Sequence, residues 1–364
     1  MAIKVILTGG GTGGHAYPVI AVAQAIREYD PQAEFLWIGS RDGHEREVAA
    51  QADIAFKSIP TGKLRRYFSA KTIVDLIKIP FGILRAYFIL SQFNPDVVFS
   101  KGGFVSYPTV FAAWLKDIPI VTHESDAIPG LATRRVANKA TLIATSFPIV
   151  PQELPRGKTV YSGQPIRLEL LNGNAERARQ RFGLSNDRPV LAVFGGSQGA
   201  AAINQAIVQI LPDLLPHFQV VHQVGPKNVA EMQQYAEKYK ERGYRALGFF
   251  EDEMADLYAL ADVIVSRAGS QIHEYAALGK LVILIPLPDS GSNHQVMNAF
   301  TFQKQGAASM LEQANLTPEL LRAEIMQLLR DESLRQSMPT AIKKFFTPNA
   351  AKKIAYWVMR AGRV

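Results

Sequence analysis

Two glycine-rich runs are the segments of this chain whose residues are best suited to chemistry. The first extends from Thr8 to His15 and follows the apolar run Ile3 to Leu7. The second extends from Gly195 to Ala200 and follows Val190 to Phe194. Glycine lets the backbone adopt positive φ and lets a bulky anion approach main-chain N–H groups, while a helix that begins there adds free N–H groups and the positive end of its dipole. Each run predicts a phosphate-binding turn between a strand and a helix.

The first run also fits a different kind of site. Its glycine spacing from Gly9 to Gly14 satisfies the G-x-G-x-x-G pattern of dinucleotide-binding proteins. Such proteins place an acid after the second strand for the ribose hydroxyls, whereas the predicted strand Glu34 to Ile38 is followed here by Gly39-Ser40-Arg41. His15 directly follows the glycines and puts a titratable group beside the bound anion. The pattern favours a phosphate group with an acid–base residue over a dinucleotide.

The composition is that of a globular protein long enough for two domains. The chain has 364 residues and a formal net charge of +8. It contains no cysteine, which rules out disulfides and thiolate chemistry but is compatible with any compartment. The first apolar run is too short for a signal peptide, and no apolar stretch is long enough to span a bilayer. We therefore expect a cytoplasmic protein.

The positive charge indicates an anionic partner, which would be a nucleic acid, a phosphorylated small molecule or an anionic membrane surface. Six basic residues lie between Lys63 and Arg85 against the single acid Asp75. Their neighbours are aliphatic rather than stacking aromatics, which is typical of an interfacial membrane segment and not of a groove for single-stranded nucleic acid. We expect membrane contact and no nucleic acid.

Within this segment, residues Ser69 to Leu90 have helical periodicity, and Pro80 is expected to kink or split the helix. One stripe at three- and four-residue steps is most simply explained as a face packed on the core. Its members are Ile73, Leu76, Ile77, Pro80, Ile83, Leu84, Tyr87 and Phe88. The residues assigned to the membrane surface lie outside that stripe: Arg65, Arg66, Val74, Lys78, Ile79 and Phe81.

The rest of the chain alternates short apolar runs with helical patterns, which predicts an α/β protein with a parallel sheet in each half. Two further loops, Ser100 to Phe104 and His123 to Gly130, follow predicted strands of the first half. Ligands of open α/β sheets bind outside the carboxyl ends of the strands, so these loops and the first glycine loop should converge.

Prolines and glycines between Phe147 and Pro165 predict a linker, so the strand Leu142 to Thr145 is expected to close the first sheet. After the linker, strand, glycine loop and helix occur again in the same order. The helical tail from Asn349 to Met359 is expected to cross back to the first half.

Taken in order, these motifs resemble the MurG family of bacterial peptidoglycan N-acetylglucosaminyltransferases, which are two-domain GT-B glycosyltransferases. The matching motifs run nearly end to end: Gly9 to His15, Ser100 to Gly103, His123 to Gly130, Gly163 to Arg167, Gly195 to Gly199, Ser266 to Gly269 and His294 to Ala299. Several long motifs in the right order are far more specific than any one of them. The resemblance implies two Rossmann-like domains whose parallel sheets face a central cleft. Residues 1–163 with helix 346–364 would form the acceptor and membrane side, and residues 164–345 the UDP-sugar side.

The resemblance also implies an activity. N-acetylglucosamine would pass from UDP-N-acetylglucosamine to the 4-hydroxyl of the muramyl sugar of undecaprenyl-linked lipid I, with inversion, to give lipid II for peptidoglycan, cell shape and cell division. The enzyme would be peripheral on the cytoplasmic face of the cell membrane, with other cell-wall synthesis proteins as further partners. No cofactor is implied, and the sequence contains no Asp-x-Asp motif or other metal-ligand constellation.

The substrate-binding residues are implied residue by residue. For the donor they are Ser197, Gln198, Gly199 and Arg167 at the diphosphate, Phe250 and Glu251 at uracil, Glu274 at the ribose hydroxyls, and His294 and Gln295 at the sugar hydroxyls. A carboxylate suits Glu274, because it can accept from both hydroxyls of a ribose. Thr12, Gly13 and Gly14 of the first glycine loop would face the diphosphate from the acceptor side.

Two residues are candidates for the base that inversion requires near the acceptor hydroxyl. His15 is the first, because its ordinary pKa lies near working pH, although it could equally only donate a hydrogen bond to the loop or the acceptor phosphate. Asp126 is the second. The resemblance places it in a loop that contacts the donor sugar, at a position where the family usually has asparagine, so Asp126 lacks the amide donors and offers a carboxylate instead.

The sequence departs from the family pattern at two further positions, and two alternative functions remain open. The run from Gly269 to Glu274 is one residue shorter than usual, which affects the register of Glu274, and Glu251 replaces a usual isoleucine. The first alternative is a related GT-B transferase that uses another lipid or natural-product acceptor. The second is an inactive nucleotide-sugar-binding membrane protein.

Overall fold

The computed structural model describes residues 2–10, 13–62, 70–148, 152–196, 199–250, 253–288 and 293–363. It divides into two compact units: a first unit of residues 1–167 with 347–364, and a second unit of residues 168–346. Each is built on a parallel sheet connected by helices. The prediction of an α/β protein with two Rossmann-like domains is confirmed.

In its described residues, the first unit contains seven strands and six α-helices, numbered here in chain order. The strands are β1 (Lys4–Thr8), β2 (Glu34–Gly39), β3 (Ala55–Ser58), β4 (Val97–Ser100), β5 (Ile120–Glu124), β6 (Leu142–Thr145) and β7 (Thr159–Tyr161). The helices are α1 (Gly13–Tyr29), α2 (Glu45–Gln51), α3 (Ala70–Phe93), α4 (Tyr107–Leu115), α5 (Leu131–Val136) and, after the second unit, α14 (Ala350–Ala361). The strand order is β3-β2-β1-β4-β5-β6-β7.

Successive side chains of a strand point to opposite faces of the sheet, so alternate residues of β1 pack into two separate hydrophobic cores. Val5 and Leu7 pack with α1, α2 and α14. Ile6 packs with α3, α4 and α5 on the other face. In α14, Ile354 and Val358 are fully buried against the first of these faces. The predicted return of the helical tail to the first unit is therefore confirmed.

The second unit contains six strands and eight helices in the described residues. The strands are β8 (Val190–Phe194), β9 (Gln219–Gln223), β10 (Tyr244–Leu247), β11 (Val263–Ser266), β12 (Leu281–Leu284) and β13 (Ser309–Met310). The helices are α6 (Ala175–Phe182), α7 (Ala201–Leu214), α8 (Val229–Tyr239), α9 (Met254–Leu260), α10 (Ile272–Leu278), α11 (His294–Lys304), α12 (Pro318–Arg330) and α13 (Glu332–Lys343). The strand order is β10-β9-β8-β11-β12-β13.

The segment predicted as a linker contains a strand and belongs to the first unit. Strand β7 pairs with β6, so the expectation that residues 142–145 close the sheet was wrong. Three residues between prolines are too short to show a strand pattern. The Gly163 carbonyl contacts Nε2 of His123 at 3.0 Å, and Ser146 Oγ donates to Gln164 Oε1 over 2.7 Å. These contacts explain why the boundary lies after Arg167, four residues beyond the expected position.

Helix α3 is continuous through Pro80, so the predicted split is absent. Two small residues, Gly82 and Ala86, are buried on its packing face, together with the larger Leu90. A Cβ on Gly82 would come within 2.2 Å of the Pro60 carbonyl oxygen, so only glycine allows this approach. Gly82 therefore brings α3 close to the loop at Pro60, while most of the large apolar side chains described on this helix face outward.

The stripe predicted to pack on the core is largely the exposed face of α3. Ile77, Leu84 and Phe88 of that stripe are 56%, 54% and 57% exposed. Phe81, which was assigned to the membrane surface, is 62% exposed and lies four residues after Ile77 on the same face. Periodicity alone cannot distinguish a face that packs on a core from one that meets a lipid surface, and the core interpretation was wrong here.

The residues assigned to the membrane surface are only partly placed on that face. Lys78 and Phe81 are exposed, whereas Ile79 is half-buried. Arg65, Arg66 and the side chain of Val74 lie outside the described residues. Among the described helices, none combines the length and apolar character that crossing a bilayer requires.

Candidate functional site

The carboxyl ends of three adjacent strands carry the candidate residues of the first unit. Strands β1, β4 and β5 are neighbours and run in the same direction, so the loops that follow them meet at one edge. The Lys101 N–H donates to the Thr8 carbonyl over 2.8 Å. The first unit thus brings its three candidate loops together, as the strand pattern predicts.

His15 lies half-buried in the first turn of α1, after Gly13 and Gly14. Gly103, with φ of +78°, packs against this turn. A Cβ there would lie 2.9 Å from the Gly10 carbonyl oxygen and 3.7 Å from Cδ2 of His15. Because only glycine permits this approach, the two loops meet backbone to backbone and the imidazole lies where they meet.

Glu124 holds the loop of residues 125–130 in place. Its carboxylate is buried and accepts the N–H of Asp126 at Oε1 over 3.1 Å and the N–H of Gly130 at Oε2 over 3.0 Å. Burial and the nearby charge of Asp126 raise the pKa of Glu124, although a hydrogen bond with Thr133 and the Asp126 N–H opposes the rise. The two bonds fix the backbone of the half-buried Asp126 at the same sheet edge as His15.

Lys101 is a buried cation between these loops. It is 1% exposed, and its Nζ donates to Ser125 Oγ. Burial lowers the pKa of Lys101 from its ordinary 10.5 to about 8, against the charges of Glu124 and Asp126, which raise it. Sequence reasoning included Lys101 in a motif but gave it no role; the available signal was a lysine directly after a wholly buried strand.

Arg167 ends the first part of the first unit and lies against α1. Its guanidinium carbon is 4.0 Å from the centroid of the Tyr17 ring, a cation–π contact. Its Nε is buried and has no hydrogen-bond partner among the described residues. A buried donor without a partner is costly, so an anion bound near the start of α1 would satisfy it.

The glycine loop of the second unit leads from β8 into α7. Gly196 and Gly199 have φ of +79° and +78°, conformations that favour glycine. Gln223, at the end of β9, donates from Nε2 to the Gly196 carbonyl over 3.1 Å, and its buried Oε1 has no partner among the described residues. Sequence reasoning missed this residue. Ser197 and Gln198 lie outside the described part of the loop.

Glu274 lies half-buried in the first turn of α10, in the segment that follows β11. The Tyr258 hydroxyl donates to Glu274 Oε2 over 2.6 Å, and Gln271 donates to the same hydroxyl. Tyr258 and Gln271 were also missed, because no short motif links α9 to α10.

His294 and Gln295 begin α11, beside the segment that follows β12. Gln295 Oε1 accepts the Leu287 N–H over 3.0 Å, and Asn298 Nδ2 donates to the Ala268 carbonyl over 3.0 Å. Because β8, β11 and β12 are adjacent and parallel, these residues share a sheet edge with the glycine loop and Glu274.

Phe250, which was expected at the uracil, has its side chain in the interior of the second unit. It is 1% exposed, and its ring packs edge-on against Phe182 and Phe194, so its side chain belongs to the core. Glu251 and Thr12 lie outside the described residues. In the part of the chain that the structure describes, no three His, Asp or Glu side chains cluster as metal ligands.

Comparison with known proteins supports a single family across both units. Residues 5–145 match the Glycosyltransferase family 28 N-terminal domain, and residues 190–354 match the Glycosyltransferase family 28 C-terminal domain.

Relatives and a solved structure agree with this match. A relative from Bacillus thuringiensis subsp. konkukian (strain 97-27), named as a UDP-N-acetylglucosamine–N-acetylmuramyl-(pentapeptide) pyrophosphoryl-undecaprenol N-acetylglucosamine transferase, is 37% identical over 98% of this chain and 99% of its own. A transferase of the same name from Geobacillus thermodenitrificans (strain NG80-2) is 40% identical over 91% and 92% of the two chains. The crystal structure of Acinetobacter baumannii MurG superposes with a TM-score of 0.75 at 25% identity, covering 98% of this chain and 99% of that one. The chain therefore belongs to glycosyltransferase family 28, as a MurG-type member with the α/β GT-B fold.

Proposed function

We propose that this protein is an inverting glycosyltransferase that moves N-acetylglucosamine from UDP-N-acetylglucosamine to the 4-hydroxyl of the muramyl sugar of lipid I, giving lipid II for peptidoglycan. The observation that carries the proposal is the nearly full-length match to transferases of that name. Their shared acceptor favours lipid I over another lipid or natural product. Following the family, the proposal requires no metal or other cofactor.

The second unit supplies the groups that hold the donor. As the bond from the anomeric carbon to the diphosphate breaks, negative charge grows on the leaving UDP, and preorganised N–H donors stabilise it. Main-chain N–H groups of the glycine loop at 195–199 and the start of α7 serve this purpose, with Ser197 and Gln198 in the loop. Glu274 binds the ribose hydroxyls, and His294 and Gln295 bind the sugar hydroxyls.

The first unit supplies the base. The acceptor hydroxyl attacks the anomeric carbon from the face opposite the diphosphate, and His15 takes its proton as the new glycosidic bond forms. Asp126 serves instead as an electrostatic partner of the buried Lys101. Arg167, beside α1, offers its buried Nε to an anionic oxygen of a substrate.

Turnover of UDP-N-acetylglucosamine with lipid I and with non-muramyl acceptors tests this function. His15→Ala should lower kcat by about 10² to 10⁴, the usual contribution of a general base. Asp126→Asn, which cannot accept the proton, should stay within about tenfold of the wild type. The opposite pattern would make Asp126 the base. Activity only with a non-muramyl acceptor, or UDP binding without any turnover, would refute the proposed reaction.

We also infer that the exposed face of α3 rests on the cytoplasmic face of the cell membrane. In the described part of α3, the exposed apolar side chains include Ile77, Phe81, Leu84 and Phe88, at steps of four, three and four, and the exposed cations Lys78 and Arg85 lie on the same helix. Apolar burial and attraction to anionic lipid would act together here.

Helix α4 extends this apolar and basic surface. Lys116 lies 4.5 Å from the centroid of the Tyr87 ring, and Lys139 lies 4.6 Å from that of Trp114. Trp114 is 42% exposed, and aromatic rings with neighbouring cations suit the interfacial region of a bilayer.

Binding to vesicles of phosphatidylglycerol and phosphatidylethanolamine tests the membrane surface. The pair Phe81→Ser and Phe88→Ser should lower partitioning at least about tenfold, because each exchange removes a large apolar side chain. The matched control is Tyr29→Ser with Tyr356→Ser, two exposed aromatics on the opposite face of the first sheet. Equal partitioning of the two double variants would refute the assignment. UDP affinity should be unchanged in both.

A further inference from the structure

The carboxylate of Glu274 is oriented by a buried tyrosine. Tyr258 lies on α9 and is fully buried, with its ring edge-on to Phe194 and Tyr275 at centroid distances of 5.6 Å. Its hydroxyl donates to Glu274 Oε2 over 2.6 Å. The ring is therefore fixed by core packing, and its hydroxyl reaches the one residue of α10 that is implied to bind the ribose.

Gln271 determines the direction of the hydroxyl hydrogen. Its Nε2 donates to the oxygen of Tyr258, so the single phenolic hydrogen is directed to the carboxylate. Burial and the charge of Glu274 raise the pKa of Tyr258 well above its ordinary value, which keeps the phenol a donor at working pH. A carboxylate has about four acceptor positions, and the bond from Tyr258 occupies one of them and fixes the position of Oε2.

Core packing alone does not account for a tyrosine at this position. A phenylalanine would fill the same space, whereas a buried hydroxyl must find a partner to offset its desolvation. Here the partner is a half-buried carboxylate at the sheet edge rather than a backbone group. In many binding sites, a residue that contacts the ligand is held in its orientation by a hydrogen bond from a residue behind it, and Tyr258 is placed to do this for Glu274.

We propose that Tyr258 is a positioning residue that makes the nucleotide site selective for a ribose over a 2′-deoxyribose. It holds the Glu274 carboxylate in the orientation that accepts hydrogen bonds from two vicinal hydroxyls. This inference rests on the proposed function, because it requires a nucleoside diphosphate at this edge of the second unit.

Equilibrium binding of UDP and 2′-deoxy-UDP to the full-length protein tests the inference without any need for turnover. The wild type should prefer UDP by at least about tenfold, as expected when a charged acceptor loses a hydroxyl partner. In Tyr258→Phe, the ratio of UDP affinity to 2′-deoxy-UDP affinity should fall to about a third of the wild-type ratio or less. The matched control is Tyr244→Phe, which is equally buried and bonds His222 elsewhere in the unit; it should retain the preference.

A second variant keeps the test decisive if Tyr258→Phe folds poorly. Gln271→Met leaves the tyrosine in place but removes the bond that orients its hydroxyl, and it should reduce the preference in the same direction. Full wild-type preference in a folded Tyr258→Phe, or in Gln271→Met if the first variant fails to fold, would overturn the inference alone. A wild type that does not bind UDP would overturn the proposed function and this inference with it.

Discussion

Replacing Lys101 with methionine should make the protein more stable at neutral pH and less active. Lys101 is 1% exposed, and burial lowers its pKa from 10.5 to about 8 despite the nearby charges of Glu124 and Asp126. A shift of this size means that holding the ammonium in the folded protein costs about 3 kcal/mol at pH 7. Methionine has a similar shape and no charge, although it loses the bond to Ser125, worth about 1 kcal/mol.

The net effect depends on pH in a defined way. The pKa is lower in the folded than in the unfolded chain, so the unfolded chain binds more protons and the cost disappears as pH rises from about 8 to 10.5. The Lys101→Met variant should therefore exceed the wild type by about 2 kcal/mol at pH 7 and by about 1 kcal/mol at pH 9. The difference should vanish near pH 10.

Urea unfolding at several pH values, with hydrogen exchange of the β4 amides to report on the first unit, measures this difference. Lys353→Met, at an exposed lysine on α14, is the control for loss of one positive charge. Turnover of the Lys101 variant should fall about tenfold or more, because the loop that carries Asp126 loses its anchor at Ser125. A variant that is less stable at pH 7, or whose stability difference does not change with pH, would show that Lys101 forms a matched ion pair and would refute the reasoning.

Two other perturbations have equally definite outcomes. Burial lowers the pKa of His222 to about 3, so the unfolded chain binds more protons than the folded chain below pH 6.5. Acidification from pH 7 to pH 5 should therefore lower the free energy of unfolding by about 2 kcal/mol in the wild type but not in His222→Gln, as measured by urea unfolding at both pH values. Gly163→Ala should destabilise the protein by at least about 2 kcal/mol, because a Cβ at φ of +82° would lie 2.3 Å from Thr347 Cβ. Gly157→Ala, with open space around the position, should change stability by about 0.5 kcal/mol or less in the same assay. Equal effects of the two alanines would contradict the packing argument.

The parts of the fold that the sequence predicts well are those with a repeated physical signal. Alternation of buried strands with helices identifies both parallel sheets, and the position of the glycine runs after strands locates the loops at their carboxyl edges. Strand β7 was missed because three residues between prolines carry too little pattern. The exposed face of α3 was assigned to the core because an amphipathic stripe has the same period whether it meets protein or lipid.

Some residues of the candidate site could likewise be predicted from the sequence, and others could not. Residues on a recognisable loop, such as His15 and Asp126, could be named from the sequence. Lys101, Gln223 and Tyr258 act through contacts with residues distant in the sequence or buried behind the site, and no spacing rule relates them to their partners. Only the packing of loops and helices in three dimensions shows which side chain orients which.

The placement of α14 has a consequence for the order in which the protein matures. This helix completes the core of the first unit, yet the ribosome makes it after the whole second unit. The second unit can therefore fold during synthesis while the first still lacks the side chains of Ile354 and Val358 that cover its sheet. His15, Asp126 and the exposed face of α3 in the first unit should therefore reach their final arrangement only after the second unit is already formed.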